Sequence, residues 1–388
     1  MGQPASLARC FRFHRGRGQE QTNRCLGFKM TGTFTTRNHY NPCFWTALWN
    51  KEYYAQYCTN ERSRKPARDQ VVYALNLNAN KILKTKVEQV HFHKDLGVAA
   101  ITPESAKRFC ARWYPEKYDT FCEDIASHPE TVYLDFEDIL SGMETQASYS
   151  SLMQAAKLGS LTSVEHKGFL TCLLIMHAMR SYEFMSMLVD MTNSEDVDKW
   201  EYFWLLKKTW SSQSFLARAV TVPAFSEWTL WRTSDHTFPL CDSPVMMDRD
   251  SLMAVLSPRL LLEINLNIRR PEQYWRVCDE VPGHVLAAFR RRSIANSFRE
   301  IIFHDQAILE EWKSSDHARA RIMALRDPSN LKTCIEEGAS RIIFGLKGFD
   351  RLDNAGQFST SLHYGHPALR GFSKGRDSPK KRTTARAL

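Results

Sequence analysis

Residues 163–191 hold the one long apolar stretch with helical period in this chain, with Phe169, Leu170, Leu173, Leu174 and His177 recurring on one face. Between Phe169 and Met179 only Thr171 and His177 interrupt the apolar run. Such a run is too short to cross a bilayer, which takes about 20 residues. A helix apolar on most of its circumference must be covered on several sides. The chain therefore has to build layers around this segment, and its 388 residues are ample for a large core. Thr162 followed by Glu165 has the spacing of a capping box. Arg180 follows His177 by three positions, which places a cation on or beside the apolar face. A buried Arg needs a partner, either an internal carboxylate such as Asp242 or a bound anion such as phosphate.

Other segments can be set around that helix. Pro42 followed by Phe44, Trp45, Leu48, Trp49 and Tyr53 predicts a helix opened by proline. Alternating runs at 70–77 and 85–92, separated by Asn78-Ala79-Asn80, predict a β-hairpin. Helical patterns fill 103–153 with a break near His128-Pro129. A second strand group is expected at 228–232, 238–247 and 260–266, interrupted at Asp242-Ser243-Pro244. A long helix is expected from about 282 to 312, and 313–372 looks less regular. The expected class is α+β, mainly helical with a small antiparallel sheet.

The net charge of +9 lies at the ends. Residues 1–37 carry seven Lys and Arg against one acid, and 373–388 carry six against one. The intervening part is slightly acidic, so the basic balance does not argue for nucleic-acid binding by the folded part. The expected organisation is a basic N-terminal extension over 1–37, one globular domain over 38–372 and a basic tail over 373–388. The extension fits translation from Met30 better than a transit peptide or a myristoylation signal. Ten cysteines are scattered with no CxxC pair and no zinc-finger spacing. With no secretory signal visible, they imply a reducing, cytoplasmic setting and no membrane partner.

No P-loop, GxGxxG, GxSxG or HExxH is present. This argues against an NTPase, a dinucleotide enzyme, an α/β-hydrolase and a zincin. Several candidates remain. His39 stands just before a helix, where it could act as general base, metal ligand or simple packing residue. Asp242 breaks a strand before Pro244, either aimed into a cleft or closing an Asx-turn. His91 and His93 flank Phe92 on one strand face and are expected to face solvent. Arg290-Arg291-Arg292 covers most of a helix circumference and reads as a solvated face. Asn296 and Arg299 lie off the apolar stripe of the late helix and could line a cleft or tie two helices together.

The order of these pieces resembles the domain of unknown function 4238 family, found mainly in bacteria. Its Asn-His-Tyr-Val-Pro opening is matched by Asn38-His39-Tyr40-Asn41-Pro42, with Asn41 where Val or Ile is usual. Its central-helix Gln and following Arg correspond to His177 and Arg180. Its Ser-Asp-Asn-Pro-Val run corresponds to Cys241-Asp242-Ser243-Pro244-Val245. A Leu-Ser-Pro motif matches Leu256-Ser257-Pro258, and a late-helix Asn matches Asn296. The resemblance spans about 37–305. It implies boundaries and lends no settled activity.

Two functions follow as expectations. One is a hydrolase of a phosphate-containing substrate such as nucleic acid. In it His39 and Asp242 are catalytic, Arg180, Asn296 and Tyr40 bind substrate, and a divalent metal is the cofactor such chemistry would use. The other is a non-catalytic binding or regulatory module, for example in bacterial defence, in which the same residues form a buried network.

Overall fold

The computed structural model describes residues 28–29, 37–39, 41–61, 63, 65–94, 97–126, 131–135, 146–194, 198–203, 222–248 and 250–348. Tyr40, His128-Pro129 and the C-terminal tail lie outside the described residues. So does most of the N-terminal extension, although strand β1 (Phe28–Lys29) falls within it and pairs with β7 (Val132–Asp135).

The molecule is α+β, but the single small antiparallel sheet is corrected by two principal sheets. The first has five strands: β10 (Val245–Met247), β11 (Ser251–Ser257), β12 (Leu260–Arg269), β8 (Ser226–Arg232) and β13 (Arg276–Cys278), in that spatial order. Its last pair, β13 with β8, is parallel, so the sheet is mixed. The second has four antiparallel strands: β4 (Lys81–Lys86), β3 (Val71–Asn76), β14 (Glu300–Phe303) and β9 (Leu240–Cys241). Two minor sheets join β1, β7 and β6 (Val98–Ile101), and β2 (Arg37–His39) with β5 (Phe92–Lys94).

Strand β11 was hidden in the sequence because six of its seven residues are buried. A strand covered on both faces loses the alternation that reveals it. Strand β14 replaces the middle of the expected 282–312 helix. That helix ends at Ala295, the chain turns through 296–299 and is extended over Glu300–Phe303, and a new helix, Gln306–Ser314, follows. Residues 313–348, expected to be less regular, form helices Asp316–Arg326 and Pro328–Gly348.

The hairpin is formed, with its second strand four residues nearer the turn than expected: Val71 pairs with Lys86 and Asn76 with Lys81. Asn80, at φ 52°, supplies the left-handed residue the turn requires. The aromatic N-terminal helix starts at Cys43 directly after Pro42. It breaks at Asn50, whose side chain accepts the Tyr53 amide at 2.8 Å and caps a second helix, Lys51–Thr59.

The central helix is Val164–Met179, with twelve of its sixteen residues buried. Its cap is Ser163, not Thr162: the hydroxyl accepts the His166 amide at 3.2 Å. Arg180 ends it, and the chain continues as helix Tyr182–Ser194. The helix packs against β10 and helix Gln146–Leu158. Lys167, fully buried in its first turn, donates to the carbonyls of Glu272 (3.1 Å) and Tyr274 (3.0 Å) above the Trp228 ring. Burial pushes its pKa down to about 7, with Glu272 opposing. The residues before β13 are thus tied to the helix start by a buried lysine, where the sequence pattern showed only an apolar face. No helix among the described residues is long and apolar enough to cross a membrane.

Candidate functional site

The break at Asp242-Ser243-Pro244 is where the chain leaves the four-stranded sheet at β9 and enters the five-stranded sheet at β10. Proline and a carboxylate make this crossing possible, since neither continues a ladder easily. Asp242 is fully buried. Its carboxylate accepts the backbone N–H groups of Phe298 (3.1 Å to each oxygen), Arg299 (2.6 Å) and Glu300 (3.4 Å). Its own amide donates to the Glu300 carbonyl at 3.2 Å. These bonds hold the start of β14 extended and explain why the expected helix does not pass through it. The carboxylate is therefore taken up by backbone amides and not by Arg180.

Below Asp242, the Ser243 hydroxyl donates to Glu183 at 2.6 Å. Glu183 is buried, and burial raises its pKa, while Ser243 holds it down. A Cβ added to Gly338 would meet Glu183 Cγ at 3.0 Å and Phe298 Cζ at 3.1 Å, so Pro328–Gly348 packs closely here. Arg321 donates through Nε to the Ser297 carbonyl at 3.0 Å, lies 4.5 Å over the Phe298 ring, and is attracted by both Asp242 and Glu183.

Above Asp242, Asn41 Nδ2 donates to His91 Nδ1 (2.8 Å) and to the Cys241 carbonyl (3.1 Å). His91 Nδ1 is then the acceptor and Nε2 carries the proton. The His91 amide donates to Glu300 at 2.8 Å. His91 has φ 53° and is 1% exposed, which corrects the expected solvent-facing His pair; the His93 side chain is not described. Burial lowers the His91 pKa to about 3, so the ring stays neutral. Arg299 donates to the Phe92 carbonyl at 2.6 Å.

The sequence-derived candidates are thus partly gathered. Asp242 is the hub. His39 is half-buried, with Nε2 3.3 Å from the Glu88 carbonyl and its ring tilted against Phe92, and it is near enough to His91 to lower that ring's pKa. Arg180 is 7% exposed and caps the central helix, near enough to lower the Cys43 pKa against the larger effect of burial. His177 is buried edge-on to Trp45 at 5.1 Å between centroids. Asn296 is spent within its own helix, donating to the Arg292 carbonyl at 2.8 Å. Arg290 and Arg292 form surface pairs with Glu311 and Asp248. Residues that sequence reasoning missed are Asn41, Glu183, Glu300 and Arg321. Only Asn41 carried a signal: it is a polar residue where the family that the opening segment resembles usually has an apolar one.

Asp242 offers a pH test. Burial raises its pKa from 3.8 to about 7 and Glu183 adds to the rise, while the amides of Arg299 and Phe298 pull it down. A raised carboxyl contributes stability that is full below pH 4 and lost as pH rises through about 7. Asn, neutral throughout, mimics the protonated form. The destabilisation caused by Asp242→Asn is therefore expected to shrink between pH 5 and pH 8, as measured by denaturant unfolding of both proteins. A constant or growing penalty would contradict the raised pKa.

An open cleft lies elsewhere in the molecule. A cleft of about 1060 Å³ is lined by Lys51, Glu61, Lys65, Tyr73, Lys84 and His304, among others. None of His39, Arg180, Asp242 or Asn296 lines it. Among the described residues, no group of three or more His, Cys, Asp or Glu is placed to hold a metal ion. Comparison with protein-family models, curated proteins and solved structures found no match.

Proposed function

We propose that the protein is a non-catalytic binding module, in which the motif residues form a buried network and ligand is taken in the Lys51–Lys65–Lys84 cleft. The carrying observation is that the Asp242 carboxylate is fully buried and accepts three backbone amides. A hydrolase would need that carboxylate to reach a base, a metal or a substrate. Its other assigned groups would also have to face a common open space. Asn296 is instead bonded within its own helix.

The proposed ligand is small and phosphate-bearing. Lys51 and Lys65 form no ion pair with a described residue, Lys84 lies over the Tyr73 ring, and Asp69 in the cleft is paired with Lys86 at 3.5 Å. Glu52 and Glu61 keep the cleft close to neutral, which disfavours an extended polyanion such as nucleic acid. A cytoplasmic setting and membership of the domain of unknown function 4238 family belong to the same proposal, resting on cysteine usage and motif order. Pyrophosphate titrated calorimetrically into the full chain is expected to bind. The triple variant Lys51→Ala, Lys65→Ala, Lys84→Ala is expected to weaken it by roughly tenfold or more with an unchanged melting temperature. Asp242→Asn should leave the affinity unchanged. Hydrolysis of pyrophosphate abolished by His39→Ala would restore the hydrolase and overturn this assignment.

A further inference from the structure

His304, the residue that follows β14, lines the Lys51–Lys65–Lys84 cleft and is half-buried. It meets His236, from the segment between β8 and β9, which does not line the cleft. Their Nδ1 atoms share a hydrogen bond at 3.3 Å, with the rings nearly perpendicular at 83°. In such a bond one Nδ1 carries the proton and the other accepts it. The pair can therefore gain one proton and keep the bond, while a second would set two N–H groups against each other. His236 is held neutral. It stands against the Tyr54 ring at 5.3 Å, and burial pushes its pKa down to about 4, helped by His304, Arg259 and Lys51 and opposed by Asp235. The proton that the pair can gain thus falls to His304.

We propose that His304 is the proton-dependent ligand of the cleft: a phosphate held among Lys51, Lys65 and Lys84 turns His304 into an imidazolium that donates to it, and binding draws one proton from solution. The inference rests on the reading of this cleft as a phosphate site and names the group that makes binding depend on pH. Burial lowers the His304 pKa most, and Asp305 beside it raises it. Lys51, from the start of helix Lys51–Thr59, and Arg259, from the turn between β11 and β12, lower it further. The free ring is therefore neutral at neutral pH. A phosphate in the cleft reverses the sign of the field set by Lys51 and Arg259. A bond from an imidazolium to a phosphate oxygen is also stronger than one from a neutral ring. The sign follows: the affinity that His304 adds is full below the pKa of the free ring and is lost as pH rises through the higher pKa of the complex.

The test is calorimetric titration of the full chain with pyrophosphate between about pH 6 and pH 8, in pairs of buffers that differ in ionisation enthalpy. Wild type is compared with His304→Gln, which cancels the ionisation of the ligand itself. The expected result is that wild type takes up more protons per bound ligand than the variant. Its affinity relative to the variant should fall by up to about tenfold per pH unit. Circular dichroism checks that the variant is folded, and the ring NMR signals of His304 in the wild type, followed with and without pyrophosphate, report the same proton independently. Equal proton uptake in wild type and folded variant, or a His304 ring still neutral in the complex, overturns the role of His304. If binding still depends on the three lysines, that outcome leaves the cleft reading standing. No pyrophosphate binding at all, or binding unchanged in the triple lysine variant, overturns both.

Discussion

Replacing Asp242 by Ala is expected to lower the melting temperature by roughly 8 °C. The substitution removes the acceptor of three backbone N–H groups, all inside the protein. Stranding buried donors costs about 1–3 kcal/mol each where water cannot reach them. Partial relaxation brings the sum to about 4 kcal/mol, and a chain of this size shifts by about 2 °C per kcal/mol. The effect is compounded because these amides begin β14, which lies between β3 and β9 in the four-stranded sheet. Circular dichroism melting of the purified variant reads it directly. An unchanged or raised melting temperature would mean that Asp242 is held at a cost to the fold, as active-site groups often are.

The second large effect is expected at Trp49. Its ring is fully buried, and its Nε1 donates to the Phe238 carbonyl at 2.7 Å, across 189 residues of sequence. Trp49→Ala leaves a cavity and strands the Phe238 carbonyl. The transfer and cavity costs together come to roughly 3–5 kcal/mol. Trp49→Phe keeps most of the volume and loses only the bond, worth about 1 kcal/mol. Denaturant unfolding of the two variants should therefore separate packing from hydrogen bonding. Equal losses for both would show that the bond, not the ring volume, fixes this contact.

Local signals were legible where they act locally. Pro42 does start a helix, Asn80 closes the hairpin, and the apolar run at Phe169–Met179 is a buried helix. The break at Asp242-Ser243-Pro244 was visible too. Its consequence was not, because transferring the chain between two sheets is a property of distant partners. The same cause hid β14. Arg290–Ile302 has helical period, and only the carboxylate from Asp242, 56 residues away, takes the amides that a helix would have used. Tertiary hydrogen bonding outweighed local propensity there. The network was half legible: Asp242 stood out, while Glu183 and Glu300 looked like ordinary surface acids in helical sequence, and Arg180, expected as the partner of Asp242, caps the central helix instead.

The most direct test of the buried network is native-state hydrogen exchange at the amides of Phe298, Arg299 and Glu300. With Asp242 as their acceptor inside the core, they are expected to exchange only through global unfolding, with a free energy matching that from denaturant melting. In Asp242→Asn the same amides should exchange through a smaller opening while those of the central helix remain protected. Rapid exchange of the three amides in the wild-type protein would place Asp242 in an open, accessible site and contradict the account.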